Sequence, residues 1–264
     1  DGLASGLQPI GVKYDDASRK VVCTLEQDDI MDGLNWLHKW YQDGIINPDA
    51  NVVTDGGKGS IFGSAQGWPA AATTWAFNQG IEKYDLAQVF GPLYTTETIQ
   101  GSMNAISANS KYKTEALKVL QLMNTDPKFR DMCAYGTEGN YMEYAEDGTV
   151  QKLRDDWNWP SYTQGTFFIL STQADGDPDA WNQVKEQNES ATSSTCLGFA
   201  LDVTNIQNEI ANCNTVWDKY KNDLLTGASD PATAVPACIE ELKAAGLDTV
   251  IEEAQKQVDE FFAN

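Results

Sequence analysis

Histidine is almost absent: 264 residues contain one, His38. Arginine is nearly as scarce, occurring only as Arg19, Arg130 and Arg154. Lys and Arg total 18 against 39 Asp and Glu, a formal charge of −21. With no cluster of cations to neutralise phosphates, nucleic acid is excluded as a partner and anionic lipid is disfavoured. No apolar run nears the ~20 residues of a membrane-spanning helix; the strongest is Thr166-Phe167-Phe168-Ile169-Leu170. The opening residues Asp1-Gly2-Leu3-Ala4-Ser5-Gly6 do not read as a signal peptide.

Cys23, Cys133, Cys196, Cys213 and Cys238 are odd in number and widely spaced, and they form neither a CxxC nor a zinc pattern. They are expected to be buried small hydrophobes; a disulfide is open to them, but composition chooses no pair. HExxH, GxSxG and Walker A patterns are missing. Gly57-Lys58-Gly59-Ser60 lacks phosphate-loop spacing and reads as a flexible turn. Asp175-Gly176-Asp177-Pro178-Asp179 lacks the later glutamate of a calcium loop. Its Asp-Pro reads as a helix N-cap followed by proline at the first helical position. No metal and no cofactor is expected.

His38 falls within the pattern Ile30, Leu34, Leu37, Tyr41, one face of an amphipathic helix that starts near Asp28 and stops at Gly44. No nucleophile signature lies near it, so its expected role is structural. Acids are plentiful, and Glu138, Glu143, Glu146, Asp155 and Asp156 share one aromatic-rich stretch. A glycosidase-like carboxylate pair is the enzymatic alternative they offer; a solvated acidic surface explains them more simply.

What is present is helical punctuation with short strands between. Two strands, Ile10 to Tyr14 and Lys20 to Leu25, are joined by a turn at Asp15 to Ser18. Residues 51–80 read as Gly-rich loop. Strands are expected at Ala87 to Phe90 and near Met103 to Ser107. Helices follow from Thr114 to Asn124 and from Asp126-Pro127 to Gly136. After an aromatic stretch of loops and short strands from Thr137 to Gly165 comes a helix at Asp179 to Asn188. A long helix then carries Ile206, Ile210, Cys213, Trp217, Tyr220 and Leu224 and closes at Gly227. One more starts at Asp230-Pro231, and the last runs Leu247 to Phe262 with Val250 or Ile251, Ala254, Val258 and Phe261 inward. The whole is an α/β pattern with a helical C-terminal region.

Four segments in this order resemble one family. They are Gly101-Ser102-Met103-Asn104-Ala105-Ile106-Ser107-Ala108-Asn109-Ser110, Tyr135-Gly136-Thr137-Glu138-Gly139-Asn140-Tyr141, Gly198-Phe199-Ala200-Leu201-Asp202 with Glu209-Ile210-Ala211, and Ala244 to Asp248 with Glu253 to Asp259. Together they resemble the extracellular solute-binding proteins of ABC importers, the Gram-positive lipoprotein branch in particular. Thr137 stands where that family usually carries a bulky apolar residue. Members are longer, with a lipoprotein signal and a first α/β lobe. On the resemblance, the chain is the second lobe plus the C-terminal helices of such a protein, separated by design or by proteolysis. The implied fold is a type II periplasmic-binding-protein-like lobe, expected at residues 1–200, with packing helices at 201–264.

The resemblance implies a non-catalytic protein: two lobes close on a solute, and the closed form delivers it to a membrane permease. It further implies a monomer, extracellular and lipid-anchored in the full protein. Sugars are bound by aromatic faces under their C–H sides and by planar polar groups. Trp36, Trp40, Trp181 and Trp217 lie in helical patterns and are assigned to the core. Trp68, Trp75, Trp157 and Trp159 lie in loop-like sequence and are the candidate stacking platforms. Asn104, Glu138 and Tyr141, from the first two family-like segments, would supply hydrogen bonds. Arg154 is the arginine placed to clamp a carboxylate, whether of an acidic sugar or of the rival ligands, amino acids and peptides. The expected solute is a sugar or oligosaccharide.

Overall fold

Two carboxylates in a first turn suit the unpaired N–H groups there, and a glycine in left-handed backbone ends a helix cleanly. In the computed structural model α1 accordingly runs Asp28–Gln42, and Gly44 follows at φ 73°. The structure describes residues 1–54, 63–69, 71, 85–154, 156–157 and 159–263.

The chain forms two compact units, one of residues 1–60, 94–98 and 193–264, the other of 61–93 and 99–192. The expected boundary at 200/201 falls inside the first of these units. The chain passes between units at 60/61, 93/94, 98/99 and 192/193, a repeated exchange that leaves no linker-like stretch in the sequence. Two of these passages lie in short strands, β3 (Leu93–Tyr94) and β6 (Thr192–Ser193), which pair in a two-stranded sheet.

In the first unit, β1 (Ile10–Val12) and β2 (Val21–Cys23) form the expected antiparallel hairpin, with Ile10 opposite Cys23. Four-residue α2 (Thr96–Ile99) and the three long C-terminal helices α6 (Gln207–Leu225), α7 (Pro231–Ala244) and α8 (Leu247–Phe262) complete its framework. Asp230 caps α7 by accepting from the Ala232 N–H at 2.9 Å, with Pro231 at the first helical position. Ile206, Ile210, Cys213, Trp217 and Leu224 are all buried, so the long seam read from the sequence is the inward side of α6. Leu247, Val250, Ala254 and Val258 bury α8 against it.

Gly227 joins α6 to α1. It sits at φ +77°, and a Cβ there would lie 2.2 Å from the Leu37 carbonyl oxygen. The same close approach gives His38 its place, Nδ1 being 2.8 Å from the Gly227 carbonyl oxygen.

Several expectations for this unit are corrected. Trp36 is 57% exposed and Trp40 39%, their rings 6.2 Å apart on the surface of α1 rather than in the core. The buried side of α1 is centred on Leu34; Trp36, two residues on, lies roughly 200° round the helix. Phe261 is half exposed, and Phe262 packs on the core in its stead. Phe262 is four residues from Val258, one helical turn along the same face.

The second unit is built on α3 (Lys113–Thr125), α4 (Pro127–Tyr135), the hairpin β4–β5 (Met142–Tyr144 and Val150–Lys152) and α5 (Ala180–Glu189). Asp126 caps α4, accepting from the Phe129 N–H at 3.0 Å. The core here is small: Tyr135, Met142, Val150 and Leu170, with Phe167 and Trp181 packed against it. Strands do not form at 87–90 or 103–107. Val89 is 92% exposed and Phe90 64%; a short apolar run becomes a strand only where a neighbour supplies a ladder. Among the described residues there are eight helices and three two-stranded sheets, a mixed α/β architecture of short strands and helices with a helical C-terminal region. All five cysteines are free.

Candidate functional site

The site is organised by two adjacent residues of α4 that carry opposite charges and are both buried, Arg130 and Asp131. Burying a charge is costly unless it is hydrogen-bonded; Asp131 is fully satisfied, whereas the Nη1 of Arg130 is buried without a partner among the described residues. Asp131 accepts from the Tyr144 hydroxyl at 2.9 Å, the Ser171 N–H at 2.9 Å and the Ser171 hydroxyl at 2.8 Å. Arg130 donates from Nε to the Thr166 carbonyl at 3.0 Å and from Nη2 to the Ser161 carbonyl at 2.8 Å. Its guanidinium also lies 5.4 Å from the Phe167 ring centre. Helix α4 thereby pins both the β4–β5 hairpin and the 159–171 segment. Desolvation lowers the Arg130 pKa from its ordinary value. Burial, then Asp131, raises that of Tyr144.

On this frame three of the expected site residues come together. The rings of Tyr141 and Trp157 lie 5.2 Å apart at 56°, and the Arg154 guanidinium sits 4.8 Å from the Tyr141 ring centre. Trp157 is oriented by donating from Nε1 to the Cys133 carbonyl on α4 at 3.0 Å. Tyr141 packs on Gly136, at φ +92°, where a Cβ would approach the tyrosine Cβ to 2.5 Å; only glycine fits that contact. Arg154 forks onto Asp156, Nε to Oδ1 at 2.9 Å and Nη2 to Oδ2 at 2.5 Å. These bonds hold the Asp156 carboxyl below its ordinary pKa and raise that of Arg154.

The other expected residues are distributed differently. Glu138 is exposed at the foot of the hairpin, its backbone bridged to Met142. Trp159 is half-buried, and its Nε1 is shielded from solvent without a partner among the described residues. Trp68 is half-buried in the segment 63–69, and Asn104 is exposed on irregular chain. Trp75 lies outside the described residues, as does Asp155 of the acidic stretch. Of the tryptophans assigned to the core, Trp217 is buried and Trp181 stacks on Phe167 with ring centres 4.8 Å apart. Arg130, Asp131, Tyr144 and Ser171 carry the site's framework without any sequence signal. The Asp126-Pro127 cap locates their helix, but not the side of it that is covered.

The cluster offers half-buried aromatic surface beside a charge pair, a surface suited to polyhydroxylated ligands. A family model for a domain of unknown function, DUF3502, matches residues 195–263. A carbohydrate ABC transporter substrate-binding protein of Streptococcus pneumoniae serotype 4 (strain ATCC BAA-334 / TIGR4) is 26% identical over 273 residues, covering 99% of this chain and 55% of that protein. The N-glycan transport solute-binding protein NgtS from Streptococcus pneumoniae has a similar structure, with a TM-score of 0.85 at 26% identity over 100% of this chain and 60% of that one. Its complex with Man1GlcNAc gives 0.82 at the same identity, over 99% and 60%. An HMO-binding, ABC-transporter-associated solute-binding protein from Bifidobacterium longum infantis ATCC 15697 shares the fold at 15% identity, TM-score 0.52, over 97% and 60%. The chain thus spans a little over half the length of the curated relative it matches. Along its whole length it is homologous to a carbohydrate ABC transporter substrate-binding protein, and it carries the fold of the solute-binding proteins.

Proposed function

We propose that this chain is part of the substrate-binding component of an ABC importer, and that it captures an oligosaccharide outside the cell and hands it to a membrane permease. The observation that supports this most directly is the cluster of Tyr141, Trp157 and Arg154. It occurs in a chain that aligns over 99% of its length with a carbohydrate-binding relative. Trp157 supplies an oriented ring for the C–H face of a sugar. The Tyr141 hydroxyl, without a partner among the described residues, supplies a hydrogen bond.

Arg154 bears on the choice of ligand. Amino acids and acidic sugars need a cation for their carboxylate, and the Arg154 fork is already occupied by Asp156. A neutral oligosaccharide is therefore the solute. The relatives are binding proteins rather than enzymes, and in this reading hydrolysis of ATP belongs to another subunit. The full protein works as an extracellular, lipid-anchored monomer.

Calorimetry of this chain, and of the longer protein containing it, against panels of neutral glycans, uronates and peptides tests the reading. Neutral glycans are expected to bind, and Trp157→Ala to weaken them at least tenfold, about 1.4 kcal/mol. Binding of peptides alone would refute it.

A further inference from the structure

A cavity in the same unit shares no residue with the cluster of Tyr141, Arg154 and Trp157. It has a volume of about 450 Å³, within the range of roughly 300–1,000 Å³ typical of small-molecule sites. Three segments line it. The β4–β5 turn contributes Asp147 and Thr149, the loop before α5 contributes Phe168 and Pro178, and the first turn of α5 contributes Trp181 and Asn182.

The lining is aromatic and polar together. Phe168 is 53% exposed, although its neighbour Phe167 is stacked on Trp181 and packed on the core. Asp147 accepts from the Thr149 N–H at 3.0 Å and the Thr149 hydroxyl at 2.7 Å, both through Oδ1. Its Oδ2 has no partner among the described residues and stands as a fixed acceptor. These bonds keep the Asp147 carboxyl below its ordinary pKa, so it is ionised at neutral pH. Asn182 uses one amide hydrogen on Asp179, at 2.8 Å, and keeps its carbonyl oxygen and second hydrogen.

We infer that this cavity is a second carbohydrate site, taking one neutral pyranose ring, with Phe168 and Trp181 against its C–H face and Asp147 and Asn182 on its hydroxyls. Aromatic surface beside a carboxylate and an amide is the combination that recognises a ring apolar on its faces and polar at its rim. No lining residue carries a positive charge. A uronate or other acidic sugar therefore meets only repulsion from Asp147, and the site selects neutral sugars.

The inference is separable from the proposed function, because the two sites report through different tryptophans. The test is titration of the 264-residue chain, labelled with nitrogen-15 in its indole rings, with mannose, N-acetylglucosamine and glucuronate. A saturable shift of the Trp181 indole signal is expected with a neutral sugar, with glucuronate at least tenfold weaker. Phe168→Ala, which removes an exposed ring, should weaken the neutral sugar at least tenfold. Asp147→Asn should restore glucuronate toward parity with the neutral sugars. Trp157→Ala should leave the Trp181 titration unchanged. If no sugar moves Trp181, or if Phe168→Ala leaves its titration as it was, the second site does not exist. A response of Trp157 without Trp181 overturns this inference and supports the proposed function. A response of Trp181 without Trp157 does the reverse.

Discussion

Arg154 is held by both oxygens of Asp156, while its guanidinium covers Tyr141 at 4.8 Å. The arginine beside Tyr141 is thus already paired with a carboxylate two residues away. Removing that neighbour should change what the site accepts. Asp156→Ala frees the guanidinium for an external carboxylate, so affinity for an oligouronate should rise while affinity for a neutral glycan changes little. Calorimetry of the variant against both ligands decides the point; an unchanged uronate affinity would show that Arg154 does not face the solute.

Asp131 should be the least replaceable side chain of the second unit. Asp131→Ala leaves the Tyr144 hydroxyl and the Ser171 N–H and hydroxyl without their acceptor. Unsatisfied buried donors cost about 1–3 kcal/mol each, so a loss of at least ~3 kcal/mol is expected. Denaturant unfolding followed by tryptophan fluorescence would measure it.

Gly227 should tolerate no side chain. An alanine at φ +77° pays about 1–2 kcal/mol for left-handed backbone alone, and its Cβ would meet the Leu37 carbonyl at 2.2 Å. Gly227→Ala should therefore lower the stability of the first unit by more than ~2 kcal/mol, read as a fall in melting temperature. The exposed Gly33 of α1, with open space around it, provides the control: Gly33→Ala should be neutral or stabilising.

The thiols should divide by accessibility. Burial pushes Cys213 up to about 11 and Cys238 up to about 12, and Cys23 and Cys196 are also buried and raised. Only Cys133 is half-buried. At neutral pH a thiol reagent should label Cys133 first and the other four only on unfolding. Because the folded values of Cys213 and Cys238 lie above their ordinary 9.0, the unfolded chain releases their protons first as pH rises. Stability is then whole below about pH 9 and declines through the range up to about 12. Cys238→Ala should flatten that alkaline decline, measured by melting temperature against pH.

Much of the secondary structure is legible from the sequence because its signals are local. An aspartate before proline fixes the starts of α4 and α7 through one hydrogen bond each. Gly246, at φ 109°, separates α7 from α8. The seam from Ile206 to Leu224 needs only the helical period to be recognised. The family-like segments likewise point, without any coordinates, to the solute-binding proteins to which the chain is similar.

What tertiary structure alone decides is which side of an element meets a neighbour. Trp36 and Trp217 have equal claims to the core as residues on amphipathic helices, yet one is 57% exposed and the other 6%. The difference lies in where α1 and α6 touch other chain, which no period records. Tyr141 and Trp157, sixteen residues apart, meet because Gly136 admits the tyrosine and the Cys133 carbonyl holds the indole. Arg130 reads as an ordinary surface cation until the Ser161 and Thr166 carbonyls close over it. Caps and periodicity act within a few residues of chain; burial and the pairing of distant side chains exist only once the elements have packed.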